Sequence, residues 1–360
     1  MAQRVFNFNA GPSTLPLSVL ETIREELLDY RGTGISIIES SHRSPEFDEV
    51  NESAIALVRE LFGLPDDYHV LFLTGGASHQ FAMIPLNFLR AGSTACYVDT
   101  GSWSAKAIKE AQGIGETHIA FSGKGGDYRH IPTDDELSLP QGAAYLHITT
   151  NNTIKGTQFH HTPEAGMPLI ADMSSDIGSM RREHAAYDMI YAGAQKNLGP
   201  AGVTLVVMRE ALLQQSNDEL PTVLNYKTQA AKKSLYNTPP AFPIYVMKLV
   251  LEWVRDQGGL AAVEQVNRQK QELVYGLIDE HPEFFRGTVE KAARSWMNVT
   301  LRLPDEELEK RFIAEAKAAG FVGLKGHRSV GGIRVSLYNA LPLEGAQAIC
   351  GFMKEFMSRA

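Results

Sequence analysis

Through most of the first 260 positions, short apolar runs alternate with stretches whose apolar residues recur every three or four places. In residues 18–30, Val19, Leu20, Ile23, Leu27 and Leu28 form one stripe, which predicts a helix. Residues 69–73 read as a strand ending in the turn T-G-G-A-S, and a helix over 80–89 follows. Residues 94–99 read as a strand and 104–111 as a helix. Further strand-like runs stand at 143–148, 168–172, 189–192 and 203–207. Many are apolar on both faces, as parallel strands covered by helices should be. The alternation predicts an α/β fold around an open, mainly parallel sheet.

The pattern changes near residue 260. A long helix over 260–279 is followed by a strand at 296–303, a helix at 305–319, a strand at 331–336 and a helix at 342–357. This is a smaller α+β unit with an apolar face of its own. We expect a large domain over 15–260 and a small C-terminal domain over 261–360, with residues 1–14 packing back on the latter. A chain of 360 residues is long enough for two cores.

Hydrophobic residues make up 44% and charged residues 21%, which fits a globular protein. The net charge of −8 argues against sequence-independent nucleic-acid binding, which needs a basic face. No apolar run approaches the roughly 20 residues of a membrane span, so no membrane partner is expected. Two cysteines, Cys96 and Cys350, can neither staple the fold nor build a zinc site, and no metal is expected. A reducing compartment, the cytoplasm, follows as an expectation, as does the lack of an apolar signal core near the N-terminus.

The candidate chemistry starts at Y-A-G-A-Q-K-N-L-G-P-A-G, residues 191–202. Lys196 sits just past an apolar strand among small residues, which let a backbone approach a flat cofactor closely. A desolvated lysine of this kind suits a Schiff base; the plain alternative is a loop lysine beside a tight turn. Asp172, in A-D-M-S-S, closes another strand 24 positions earlier. That separation fits strand, connection, strand and lysine, bringing both groups to one sheet edge, where ligands of open α/β sheets bind. An aspartate there can hold a pyridinium nitrogen, as in pyridoxal 5′-phosphate (PLP); taken alone it would be a helix cap. The turn at 74–78 could offer backbone N–H groups to a phosphate, or be only a tight turn. Trp103 could stack on a ring, or be core.

Together these segments resemble the phosphoserine aminotransferases, class V aminotransferases of PLP fold type I. The resemblance runs through F-N-F-N-A-G-P-S (6–13), S-S-H-R-S (40–44), T-G-G-A-S-H-Q-F, A-D-M-S-S, the lysine segment, S-L-Y-N-T-P-P (234–240) and K-G-H-R-S-V-G-G-I-R-V-S-L-Y-N-A (325–340). It implies a Schiff base on Lys196, which also shuttles a proton, and a pyridinium held by Asp172. It further implies ring stacking by Trp103, a hydrogen bond from Thr153, and phosphate contacts from Ala77, Ser78 and Gln195. Asn237 and Thr238 would reach the phosphate from a neighbouring subunit, so a homodimer with a shared site is implied.

On the substrate side the resemblance implies Arg334 as α-carboxylate clamp, with His42, Arg43, His327 and Arg328 around a distal anion. Asn9, Ala10 and Gly11 lie where the N-terminal segment approaches substrate, and Ser13 is given no role. The implied reaction is transamination between L-glutamate and 3-phosphohydroxypyruvate, giving 2-oxoglutarate and O-phospho-L-serine. A pyridoxine-pathway reaction on 4-phosphohydroxy-threonine is a second activity in its range. Ser78 stands where some members carry arginine, which leaves distal-anion binding to the other cations. Alternatives are another class V enzyme, such as an alanine/serine–glyoxylate aminotransferase or a cysteine desulfurase, or a non-catalytic member of the fold. Neither cysteine suits a desulfurase, and Lys196 is present.

Overall fold

Six of the seven strands of the central sheet are buried along nearly their whole length, so they appear in the sequence as apolar runs. In the computed structural model, which describes residues 4–360, the chain opens with β1 (Phe6–Asn7), α1 (Leu17–Glu26) and α2 (Pro45–Phe62). β2 (Tyr68–Leu73), α3 (Gly76–Phe88), β3 (Thr94–Asp99), α4 (Ser102–Gln112) and β4 (Glu116–Ser122) follow. Next come β5 (Leu146–Thr149), the hairpin β6 (Asn151–Asn152) and β7 (Thr157–Gln158), β8 (Leu169–Asp172), β9 (Met189–Gly193) and β10 (Thr204–Arg209). Helices α5 (Glu210–Leu213), α6 (Tyr226–Ala231), α7 (Ala241–Asp256) and α8 (Gly259–Glu280) lead to β11 (Arg286–Gly287) and β12 (Asn298–Arg302). The chain closes with α9 (Glu306–Ala318), β13 (Phe321–Val322), β14 (Ile333–Ser336) and α10 (Leu343–Ser358).

The sheet order is β2-β10-β9-β8-β5-β3-β4, and β10 alone runs against its neighbours. The C-terminal ends of the other six strands therefore share one edge. Alternate residues of β2 enter different cores. Val70 and Phe72 pack with α2 and α7, while Leu71 and Leu73 pack with α3 and α4. The fold is thus a helix–sheet–helix sandwich, and the functional edge is where the chain leaves the strands.

A third core, with Ile278, Phe312, Val335 and Phe356, belongs to the C-terminal unit and its small sheet β11-β12-β14. β1 pairs in parallel with β13, setting Phe6 opposite Phe321, and Phe8 is fully buried in that core. The expected division at residue 260 falls at the head of α8, after Gly258 in the left-handed region. That helix serves both sides: Leu260 and Val263 lie in the sheet core, Val274 and Ile278 in the C-terminal one.

Some sequence expectations need correction. The helix expected over 18–30 stops at Glu26. The Asp29 carboxylate accepts the Gly34 N–H at 2.8 Å and bends the chain back, so the apolar stripe runs on into a turn. The run at 143–148 meets the sheet through Ala144 N–H on Thr94, but regular strand begins only at Leu146. Helix α2 had no counterpart in the sequence reading although it carries a start signal. Ser44 accepts the Phe47 N–H at 3.4 Å and Pro45 takes the first turn.

Phe8 fixes the segment that leads to the lysine. Phe8→Ala should lower stability by about 3–5 kcal/mol in denaturant unfolding. Cofactor retention should weaken in the same variant, because residues 9–13 lose their anchor.

Candidate active site

Five strand ends converge at the functional edge. β2 ends in the 74–78 turn, β3 leads to Trp103 on the first turn of α4, and β5 leads to Thr153. β8 ends at Asp172, and β9 leads directly into Lys196. Asp172 lies opposite Tyr191 in the parallel β8–β9 pair, and Ser174 bridges the two strand ends by accepting the Gly193 N–H at 3.1 Å. Asp172 and Lys196 thus leave adjacent strands on one side.

The Lys196 amine donates to the Thr153 hydroxyl at 2.7 Å and stands 5.8 Å from the centre of the Trp103 ring. It lies deep but keeps part of its surface open to the cleft. Burial pulls its pKa down to about 8; Arg334 pushes the same way, and Asp172 opposes. Loss of a proton at near-neutral pH leaves the amine nucleophilic.

Asp172 is buried, accepts the Ser174 N–H at 2.9 Å and forms no ion pair among the described residues. Burial raises its pKa; the Ser174 bonds and the Lys196 charge only partly offset this. A buried carboxylate so weakly compensated calls for a cationic partner. The protonated ring nitrogen of PLP is such a group, and the Trp103 indole stands close enough to the Lys196 amine, 5.8 Å, to stack on such a ring. At the 74–78 turn, Gly75 takes φ +89° and Gly76 φ +65°, and no side chain caps α3. The first N–H groups of that helix are free for a phosphate. The residues present fit PLP.

The N-terminal segment closes the other side. The Ser13 N–H donates to the Gln195 carbonyl at 2.9 Å, and its hydroxyl donates to the Lys196 carbonyl. Ser13, given no role from the sequence, therefore clamps the lysine backbone. At Gly11, φ +132°, a β-carbon would stand 3.2 Å from the Lys196 Cγ, so only glycine allows this approach. The Ala10 carbonyl accepts the Tyr338 hydroxyl at 2.9 Å, and Asn9 packs over Gly323.

Arg334, from β14, donates to the Thr153 carbonyl at 3.1 Å while its Nε is buried without a partner. It lines a cavity of about 320 Å³ together with His327, Lys155 and Asp127. Burial and the charges of Arg334, Arg328 and Lys106 hold His327 below the ordinary imidazole value. The structure thus groups Lys196, Thr153, Trp103, Asp172, Arg334 and His327. His42 and Arg43 are not in that group. They sit in the turn before α2, and among the described residues no bond joins them to Lys196. Asn237 and Thr238 are exposed; Asn237 lies beside Thr74 and His79. A larger cavity, about 520 Å³, lies between residues 4–18 and α8. Among the described residues Arg4 is its sole charged lining residue.

Sequence reasoning passed over Lys106, whose amine lies 4.2 Å from the Trp103 ring centre. Its signal was the three-residue spacing from Trp103 on a helix. It also passed over Tyr338, whose segment S-L-Y-N-A was noted without a role. Tyr338 is buried and receives a hydrogen bond from Asn298 at 3.2 Å.

Residues 5–349 match the family model of the class V aminotransferases. The chain belongs to the class V aminotransferase family. It is a PLP-dependent aminotransferase. It is 54% identical over 357 residues to a phosphoserine aminotransferase of Geobacillus kaustophilus, covering 99% of both chains. The structure of phosphoserine aminotransferase from Bacillus circulans subsp. alkalophilus superposes with a TM-score of 0.98 at 52% identity, over 100% of both chains. A PLP-bound phosphoserine aminotransferase from Trichomonas vaginalis gives a TM-score of 0.93 at 34% identity, over 98% of this chain and 100% of that one. An alanine–glyoxylate aminotransferase from Nostoc, 17% identical with a TM-score of 0.74, shares the fold.

Capture of PLP by the apoprotein requires the uncharged Lys196 amine. Its rate should rise with pH through about 8, where the amine titrates. Because Arg334 lowers this pKa, Arg334→Leu should move the midpoint upward in stopped-flow absorbance. The folded value lies below the ordinary 10.5, so the apoprotein is penalised below about pH 8 and relieved as pH rises toward 10.5.

Proposed function

We propose that this enzyme transfers the amino group of L-glutamate to 3-phosphohydroxypyruvate, forming 2-oxoglutarate and O-phospho-L-serine. The observation that carries the reading is two guanidiniums, Arg334 and Arg328, without carboxylate partners among the described residues: Arg334 acts on the Lys196 amine, and both act on His327. Both amino-acid substrates bring two anionic ends, and a guanidinium fork such as that of Arg334 suits the carboxylate. The names of the full-length relatives support the same choice. A glyoxylate aminotransferase would leave the outer cations without work.

PLP, when bound, supplies the electron sink that lets a Cα proton leave. Lys196 is placed to carry that proton, because its amine is the basic group at the centre of the site. Thr153 holds the amine at 2.7 Å, and Asp172 faces it from the adjacent strand end. Arg334 orients the α-carboxylate, with its own position set by the Thr153 carbonyl. Trp103 would cover one face of the ring and exclude water. Ala77, Ser78 and Gln195 would hold the cofactor phosphate.

We assign Asn237, Thr238, His42 and Arg43 to a site shared across a homodimer. Leu28 is 86% exposed, and Ile35 and Ile38 are also exposed, in the segment that leads to His42 and Arg43. Such an apolar surface suits an interface that would deliver that pair to the partner's site. The buried free thiols Cys96 and Cys350 suit the reducing cytoplasm. No described helix is long and apolar enough to cross a membrane.

In a coupled assay, glutamate plus 3-phosphohydroxypyruvate should turn over much faster than glutamate plus glyoxylate. Equal rates would overturn the substrate assignment. Lys196→Ala should remove the visible absorption of bound cofactor and cost at least about 10²–10⁴-fold in kcat. Light scattering should give twice the 39.6 kDa chain mass, and Leu28→Asp should shift the protein toward monomer.

A further inference from the structure

The family assignment leaves Lys106 without a function. It lies on α4, one turn beyond Trp103, and its side chain folds back over the indole with Nζ 4.2 Å from the ring centre. The Lys196 amine is 5.8 Å from the same ring. Both amines thus address one indole, although the Lys106 residue itself is exposed. Among the described residues it has no carboxylate partner. It contributes to the positive field at His327 together with Arg334 and Arg328. Asp127, the one carboxylate lining the neighbouring cavity, is already engaged by Lys155 at 2.5 Å.

An exposed lysine normally has no reason to lie over a ring when it could extend into water. A stacked ammonium is attracted to the indole face and keeps its charge close to the site. The chain as a whole carries −8, so its net field repels anions and local cations must attract them. The 74–78 turn brings Ser78, not a cation, to its side of the site. A doubly charged phosphate on the substrate needs more than one positive group when those groups are partly hydrated.

We infer that Lys106 is a specificity-determining residue: its ammonium, held over Trp103 at the cleft mouth, joins Arg328 and His327 in receiving the distal phosphate of the acceptor. The inference rests on the phosphorylated acceptor proposed above. It assigns Lys106 to the far end of the substrate, whereas Arg334 takes the carboxylate end. Loss of the Lys106 charge should then weaken phosphorylated substrates selectively, mainly through KM.

The test compares the PLP-loaded wild type, Lys106→Gln and Lys106→Arg, with 3-phosphohydroxypyruvate and unphosphorylated hydroxypyruvate as acceptors. Lys106→Gln should lower kcat/KM for the phosphorylated acceptor about tenfold, the loss expected for one charge-assisted contact. It should change the unphosphorylated acceptor by less than about twofold, and Lys106→Arg should restore most of the preference. The visible absorption of bound cofactor should stay at its wild-type level in both variants. Equal losses for the two acceptors would mean that Lys106 only holds the indole, and would overturn the inference. So would an unchanged ratio, or loss of cofactor absorption in Lys106→Gln. A wild type with no preference for the phosphorylated acceptor would overturn the proposed reaction itself, which the variant-to-wild-type comparison keeps distinct.

Discussion

Two desolvated groups of opposite sign, the half-buried Lys196 amine and the buried Asp172 carboxyl, leave adjacent parallel strands without forming an ion pair among the described residues. Everything else at the functional edge follows from that separation. A direct pair would satisfy both groups and leave no space between them. Held apart, each keeps an unmet electrostatic demand in a desolvated place, which a planar ring with a basic nitrogen at one end and an aldehyde at the other can meet. The protein bears the desolvation cost in its folded state, through sheet packing on both faces. That cost is recovered when the cofactor binds.

Parallel strand direction makes the arrangement economical in chain length. Each strand end on the edge supplies one kind of contact: N–H groups after β2, an aromatic face after β3, a hydroxyl after β5, a carboxylate on β8 and an amine after β9. The C-terminal unit adds a cation from β14, and the N-terminal segment clamps the lysine backbone through Ser13 and Gly11. Both additions come from the same third core, since Phe8 and Val335 are buried there together.

Much of this was legible in the residues. Strands buried on both faces declare themselves as apolar runs, and Asp172 and Lys196 each follow such a run. Helix α2 passed unread although Phe47, Val50, Ala54, Leu57 and Val58 recur at helical spacing, but α7 was not legible by periodicity. Its residues Ile244 to Leu251 are buried all round, so no polar face marks the period. The clamp by Ser13 could not be read either, because its partner is 183 positions away and the bond uses backbone oxygen. Lys106 escaped because an exposed helical lysine looks like solvated surface until the indole beneath it is seen. His42 and Arg43 were legible as a motif, yet a single chain gives them no site to line.

The double allegiance of α8 limits how this enzyme can respond to its ligands. One unbroken helix is gripped near its start by the sheet core and near its end by the C-terminal core. A swinging lid would need a break between those grips, and the helix contains no proline there. Adjustment of Arg334 toward a bound substrate is therefore confined to small sliding of packed surfaces, on the order of 1–2 Å, rather than a wide hinge opening.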